Sequence, residues 1–481
     1  MASRDYDALV IGAGLGGLTT AALLVKQGMR VCIVEKNQRF GGYAVNYESH
    51  GHRFDVATQA LGGCGAGGIV QTLLHELGLL DGIDFLLCEP ARVYYFPEDE
   101  DPFIQHGFLD AQQHMLNEMY PDAIASIASC YTVFADIFRE LQAIASGNVN
   151  PIFGFSQNYP SLAKYSKYTV QEFFDELELP KGLQIRIGVR SGYCMLPLHS
   201  LSLVAFACTE MSYAGGAWMV AGGVGRLVDH LVQFLEDHKT IFLPKTRVKR
   251  LLFEQRQLIG VQTATDEKIT ATQTILAADG SAILAHSGPE CVQLYTKYKG
   301  MQRSGSYLVS YYQVPAHCVE NMQANIEVRL AEQTLAGKRK IEVYYLLIPS
   351  LVDTESAADG FHSLCISVPW ADEVLPDKNE RCLVREILEQ LVIEKYPALA
   401  DKLKFLFELG PDHFMAMTGN TNGSAYGWAQ TIDQSGIYRL GNNPRIDGLY
   451  LAGHWTMPGG GIAGVMTSGK LCADAVLTQN K

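Results

Sequence analysis

Charge is scarce in this chain, and positive charge is scarcer than negative. Only 19% of its 481 residues are charged, and 38 Lys and Arg against 51 Asp and Glu leave a net charge of −13. That balance argues against a nucleic-acid partner, and an anionic membrane surface would repel the chain on average. The eleven cysteines contain no Cys-x-x-Cys pair and are odd in number. They indicate neither a disulfide framework nor a zinc site, and no metal is expected. Reduced thiols in a cytoplasmic protein are the expectation. Internal repeats and low-complexity linkers are missing as well. Two apolar stretches mimic membrane spans without being suited to one. Tyr6–Val25 is broken by glycines and has no basic leader, and Ser191–Thr209 carries Pro197, His199 and several hydroxyls, which mark a buried core or tunnel segment. A strand beginning near Tyr6 leaves no room for a transit peptide, so a cytoplasmic or mature organellar protein is expected.

What is plentiful is glycine, with 46 residues, and apolar side chains, at 48%. The length suits two intertwined domains, and the glycines suggest many places where backbone approaches a ligand closely. The first lie at the start. Ala8–Ile11 reads as an apolar strand, followed by Gly12-Ala13-Gly14-Leu15-Gly16-Gly17 and a helical stripe of Leu18, Ala21, Ala22 and Val25. Gly28 closes that helix, Arg30–Val34 is a second strand, and Glu35 stands at its end. Gly12 allows the tight turn, Gly14 lets backbone reach a pyrophosphate, and Gly17 lets helix and sheet pack. The amides at the helix start, around Ala13, Leu15 and Gly16, favour an anion, and Glu35 is placed to accept from ribose hydroxyls.

Gly41-Gly42-Tyr43-Ala44 follows six residues after Glu35 and completes the longer pattern of flavoproteins, which points to FAD. Lys36 belongs to the same segment. Arg39 either adds positive charge near the phosphates or is a solvated surface residue. A second glycine run, Gly63–Gly68, lacks a preceding strand and a following acid, and reads as a flexible turn near the flavin. Near the C-terminus Ile446–Gly453 is a turn and strand, His454–Gly461 a Pro-Gly-rich turn, and Ile462–Val476 a helix of small residues. Gly453, His454, Gly461 and Ile462 thereby rebuild an anion site at a helix N-terminus, suited to the flavin edge that turns negative on reduction.

The opening, the close and the segment Thr418–Trp428 (TGNTNGSAYGW) resemble the phytoene desaturase superfamily, which includes carotenoid desaturases, carotenoid cis–trans isomerases and retinol saturases; Gly215-Gly216 through Gly225 is similar to its central motif. Departures are Val220-Ala221 where a proline often stands, Ala57 where glycine is usual, and His454 where many flavoproteins carry Asp or Glu. The resemblance implies an α/β fold. A Rossmann-type FAD-binding domain would be built from residues 1–88, 214–290 and 436–481, and an inserted mixed-sheet and helical α+β substrate domain from 89–213 and 291–435. It also implies that the backbone of Val248 contacts adenine.

In the inserted part, Ile124, Ile127, Tyr131, Phe134, Phe138 and Leu141 predict a helix over Asp122–Ser146 ended by Gly147, with the stripe in the core. Tyr307–Val314 and Ile341–Ile348 predict strands of a second sheet, and Leu383–Leu391 another helix. His50 and His52 flank a surface hairpin tip. The expected function is flavin hydride transfer with an apolar polyene, as desaturase, saturase or redox-neutral isomerase. Delocalisation in such a substrate lessens the need for a strong base, and no acid–base constellation stands out. His454 and Trp455 are the candidates beside the flavin ring, and Tyr426 and Trp428 the candidate substrate wall. Peripheral membrane contact through apolar surface fits such a substrate. The alternatives are a flavin amine oxidase, which would need an aromatic cage, and a non-catalytic FAD-retaining lipid carrier.

Overall fold

The computed structural model describes residues 5–56, 60–145, 154–337, 339–371 and 374–479, and its strands form two large sheets. In the first, Tyr6–Ile11 lies parallel between Val31–Val34 and Lys268–Leu276. Ile241–Leu243 extends one side, and Leu449–Leu451 pairs in parallel with the end of Lys268–Leu276. Helices cover both faces, so Ala8–Ile11 and Val31–Val34 are buried throughout; this is why they read as unbroken apolar runs. Three sequence stretches more than 170 residues apart thus build one parallel sheet.

The apolar runs Ile241–Phe253 and Thr274–Ala278 each read in the sequence as strand, and the structure redraws both. Ile241–Phe253 divides at Lys245, whose φ is 56°, into Ile241–Leu243 and Val248–Glu254. The second strand starts at Lys268 and ends at Leu276; its polar outer half pairs antiparallel with Gln257–Thr263 instead of entering the parallel core.

Helix Leu15–Lys26 is buried from Leu15 to Val25, packed against both Gly225–Asp237 and Ile462–Gln479. The last contact explains the small residues of the C-terminal helix. A Cβ on Gly469 would lie 2.7 Å from the Gly16 carbonyl, and the Thr20 hydroxyl donates to the carbonyls of Gly16 and Gly469 at 2.9 and 3.1 Å.

The second sheet runs Lys404–Leu409, Ser306–Pro315, Phe361–Trp370, Arg339–Leu347, Asn325–Ala336, Arg92–Tyr95, Phe103–Gln105. Only the Asn325–Ala336 and Arg92–Tyr95 pair is parallel. Its register aligns Val309, Ser367, Tyr345, Glu327 and Tyr94 across five strands. The helix predicted over Asp122–Ser146 spans Ile124–Ala145 after a 3-10 turn at Pro121; Ser146, Gly147 and Ala57 lie outside the described residues. Its stripe divides. Ile127, Tyr131 and Phe134 join a buried cluster with Phe173 and Phe206, while Ile124 is exposed. Among the described residues no helix is long and apolar enough to cross a membrane, and all eleven cysteines are free.

Candidate flavin site and substrate cavity

The opening turn divides its glycines by task. A Cβ on Gly12 would lie 2.8 Å from the Ala277 carbonyl oxygen, and one on Gly17 only 2.2 Å from that of Gly12. These two positions let strand and helix touch. Gly14 is the opposite case, since a Cβ there meets nothing within 4 Å and points into a cavity. The helix begins at Leu15 without a side-chain cap, so its first amides, which have no partner within the helix, face an anion site. Glu35 accepts from Ala13 N–H at 3.0 Å and from Asn37 N–H at 2.9 Å. It lines the same cavity. Gly41 N–H donates to the Ala13 carbonyl at 2.7 Å, placing Gly41, Gly42, Tyr43 and Ala44 on the cavity wall beside Gly14.

The C-terminal half closes the cradle. Gly16 lies under Gly453, its missing Cβ 2.8 Å from the Gly453 Cα. Gly453 and Gly461 both line the cavity, and a Cβ on either would meet open space. Ile462 opens the final helix there. Three glycines from opposite ends of the chain therefore border one void that side chains would fill, and two helix N-termini face it. These residues fit FAD.

His454 and Trp455 follow the closing strand and line the cavity. The Trp455 indole N–H donates to Asn420 Oδ1 at 3.3 Å, which turns the Asn420 amide nitrogen toward His454 Nε2, also at 3.3 Å. Nε2 is thus the acceptor, and the imidazole proton sits on Nδ1. Burial, helped by the nearby Arg439 charge and opposed by Asp279, pushes His454 down to about 4, so the ring is neutral at pH 7. Arg439 is itself buried and holds this turn, donating to the carbonyls of His454 at 2.6 Å and Thr456 at 2.9 Å. Its own pKa falls to about 9 through burial.

The cavity has a volume of about 1050 Å³ and continues from the cradle across the second sheet. Val309, Tyr311, Leu347 and Cys365 line it, and the Tyr311 hydroxyl donates to the Val56 carbonyl at 2.7 Å. Tyr193, Tyr307, Tyr345 and Arg92 line it as well, and so does Tyr426, which abuts the cradle turn: a Cβ on Gly460 would lie 2.8 Å from the Tyr426 Cβ. Burial raises the phenols of Tyr345 and Tyr426 well above the ordinary value, so both stay protonated. Phe138 and Leu141 reach the cavity from the helix whose earlier turns are core, and Cys208 and Thr209 lie in the stretch read as tunnel or core. Asp55 also lines the wall; burial raises it to about 6, although it accepts from Val224 N–H at 3.0 Å and from Asn46 Nδ2.

Other expected site residues stand elsewhere. The Lys36 amine donates to the carbonyls of Ala416 and Met417 at 2.7 and 2.9 Å, at the end of helix Pro411–Thr418, where a cation complements the dipole. Arg39 is exposed and off the cavity. Val248 is buried at the start of its strand; Thr246 N–H donates to the Glu35 carbonyl, so that strand begins near the acid, but Val248 does not line the cavity. Trp428 packs edge-on behind Trp455 at 4.7 Å and donates to its carbonyl at 2.8 Å, leaving Tyr426 as the residue of that pair at the wall. Gly63–Gly68 is a packed turn, with Gly65 against the Gly215 carbonyl, and it borders the cavity. His50 sits at the hairpin tip, but His52 is buried. Sequence reasoning missed Asn420, Arg439 and Arg92. Asn420 stood inside a quoted motif, whereas nothing local marks Arg92.

The flavin-containing amine oxidoreductase family matches residues 15–477. Prolycopene isomerase of Daucus carota is 24% identical over 98% of this chain and 80% of its own length. Carotenoid 3,4-desaturase of Haloarcula japonica is 23% identical over 98% of both chains. All-trans-retinol 13,14-reductase of Danio rerio is 21% identical over 100% of this chain and 88% of its own. In fold, an oxidoreductase from Methanosarcina mazei superimposes with a TM-score of 0.67, at 18% identity, over 98% of this chain and 100% of that one. With a family match across nearly its whole length and a cradle that fits the cofactor, this chain belongs to the flavin-containing amine oxidoreductase family and is an FAD-dependent oxidoreductase related to carotenoid isomerases, carotenoid desaturases and retinol reductases.

Proposed function

We propose that the protein acts on an elongated apolar polyene of carotenoid, retinoid or related isoprenoid type, as a desaturase, saturase or redox-neutral cis–trans isomerase. The observation that carries this is the cavity, which leaves the cradle beside Gly14 and Gly453 and continues between aromatic and aliphatic walls. Bound FAD supplies hydride transfer. In this reading Gly12–Gly17, Glu35, Gly41–Ala44, Gly453, Gly461 and Ile462 hold the cofactor, with the Val248 backbone near its adenine. His454 and Trp455 face the reacting section, where a neutral, Nδ1-protonated imidazole offers a hydrogen bond without adding charge. Tyr426, Tyr307 and Tyr345 wall the substrate and exclude water, and their protonated phenols provide no base. A polyene needs little more, because conjugation spreads developing charge.

Names of relatives that act on prolycopene, carotenoids and retinol support the substrate class. The amine oxidase alternative draws on the family's name and the tyrosine-lined chamber. We assign the FAD-binding domain to 1–88, 214–290 and 436–481 and the substrate domain to the remainder, and propose peripheral membrane contact through apolar surface, which flotation with liposomes tests. Product masses decide the reaction. FAD-loaded enzyme, oxidised or dithionite-reduced, is incubated anaerobically with cis and trans carotenoids and retinoids. Loss of two hydrogens means desaturation, gain of two saturation, and a new isomer at unchanged mass isomerisation. Conversion of amines alone sinks the proposal.

A further inference from the structure

Saturation adds a proton as well as a hydride to a double bond, and desaturation removes both. Conjugation spares the site a strong base, yet some group must carry that proton. Most titratable groups on the cavity wall are unsuited to it near pH 7. His454 stays neutral down to about 4, with Nε2 engaged by Asn420. Burial keeps the phenols of Tyr307, Tyr345 and Tyr426 protonated and pushes the Cys194 and Cys208 thiols up to about 11 and about 12. Among the described residues three carboxyls line the cavity, those of Glu35, Asp55 and Asp474. Glu35 is held by the cradle amides of Ala13 and Asn37, and Asp474 is exposed and paired with Lys470 at 2.9 Å. Asp55 remains.

Its setting suits the task. Asp55 ends the strand His52–Asp55 and pairs with Asn46, two residues past Ala44 of the cradle wall. The adjoining Val56 packs with Val45, Tyr311 and Cys365, and Tyr43 rests against the same cluster. The carboxyl therefore borders the cavity beside the cradle. One oxygen is fixed: Oδ1 accepts from Val224 N–H at 3.0 Å and from Asn46 Nδ2, whose own Oδ1 accepts from Gly225 N–H at 2.8 Å. Both bonds end on Oδ1, which makes Oδ2 the oxygen for a substrate to meet. Burial raises the carboxyl, the two hydrogen bonds lower it, and of the charges facing it Asp353 raises and Arg53 lowers it. Tyr311 and Cys365 face it as well. The balance stands at about 6, close to the pH at which a proton carrier can both give and take.

Resting on the polyene reading, we propose that Asp55 is the catalytic residue that moves the proton, through Oδ2, to or from a carbon of the polyene. Bound FAD supplies or accepts the hydride. In saturation the Asp55 O–H bond breaks, a C–H bond forms with the electron pair that the double bond releases, and water returns a proton to the carboxylate. Desaturation runs the step backward: a C–H bond breaks, its pair becomes the new double bond, and Oδ2 takes the proton.

The test compares FAD-loaded full-length wild type and Asp55 variants with the retinoids and carotenoids that the wild type converts, in single turnovers from pH 5 to 8. Asp55→Asn keeps an oxygen for Val224 N–H, so it is expected to retain FAD after desalting. Its conversion rate should fall about a hundredfold or more and lose the wild type's change of rate through about pH 6. Asp55→Glu, which restores the acid, regains part of the rate. Infrared difference spectra at pH 6 give a readout apart from turnover. Adding the polyene to loaded wild type shifts a carboxylic-acid C=O band that is missing from Asp55→Asn and displaced in Asp55→Glu. The Glu variant and these spectra decide the matter if Asp55→Asn loses FAD. A wild-type rate and pH profile in Asp55→Asn, or the absence of a carboxyl band that answers to the polyene and to Asp55→Glu, overturns the assignment and leaves the polyene reading standing. A wild type that converts no polyene in either redox state overturns both.

Discussion

Two alanine substitutions three residues apart separate cofactor binding from folding. Gly14 has φ −76° and ψ 169°, ordinary values for alanine, and a Cβ there touches nothing within 4 Å. Gly14→Ala loses up to about 1 kcal/mol as a poorer helix N-cap and regains about 0.4–1 kcal/mol from a less free unfolded chain, so the apoprotein changes little. The added methyl nevertheless stands where the pyrophosphate must approach the first-turn amides. Displacing one phosphate oxygen from one such amide loses about 1.5–3 kcal/mol, or roughly ten- to a hundredfold in FAD affinity. Gly17→Ala places its methyl 2.2 Å from the Gly12 carbonyl oxygen. Backbone must move there, at about 1–3 kcal/mol or more of overpacking, with or without FAD. Thermal unfolding of both apoproteins, followed by FAD titration, checks the pair. A Gly14→Ala protein that unfolds as early as Gly17→Ala without FAD, or one that binds FAD like wild type, refutes the division of labour.

Asn420→Asp places a carboxylate where an amide now donates to His454 Nε2, and should raise the His454 titration from about 4, read by NMR of ring-labelled histidine; an unmoved titration contradicts the tautomer assignment. Arg439→Met strips donors from the buried carbonyls of His454 and Thr456 and should destabilise the protein by about 3 kcal/mol, at 1–3 kcal/mol per orphaned group, measured by urea unfolding. Asp55, raised to about 6 from 3.8 in the fold, binds its proton more tightly folded than unfolded. Its contribution is full below 3.8 and disappears as pH rises through 6. Asp55→Asn should therefore flatten the fall in urea midpoint between pH 4 and 6, and an unchanged slope counts against that assignment.

Sequence legibility follows how locally each feature is specified. The cradle was readable because Gly12, Gly14 and Gly17 act within one turn, and because Gly453 and Gly461 repeat the same strand-turn-helix grammar at the other end. Other residues of the cavity wall are not readable. Arg92 meets Glu327 through a parallel pairing of strands some 230 residues apart, and Tyr193 and Tyr345 come from two unrelated elements. Periodicity alone could not divide the stripe of helix Ile124–Ala145 into core at Phe134 and cavity wall at Phe138. Trp428 and Tyr426 stand two residues apart in one motif, yet only the second reaches the wall, since the Trp428 N–H is committed to the Trp455 carbonyl. Lys36 was likewise drawn away by helix carbonyls that no local pattern announces.

The most direct test is anaerobic mixing of the FAD-loaded protein with polyenes and amines side by side, following the visible flavin band. A change in flavin redox state, or a new geometric isomer formed only with reduced flavin, is expected with a polyene and with no amine. Flavin bleaching by an amine, with every polyene inert in both redox states, would contradict the assignment and identify an amine oxidase.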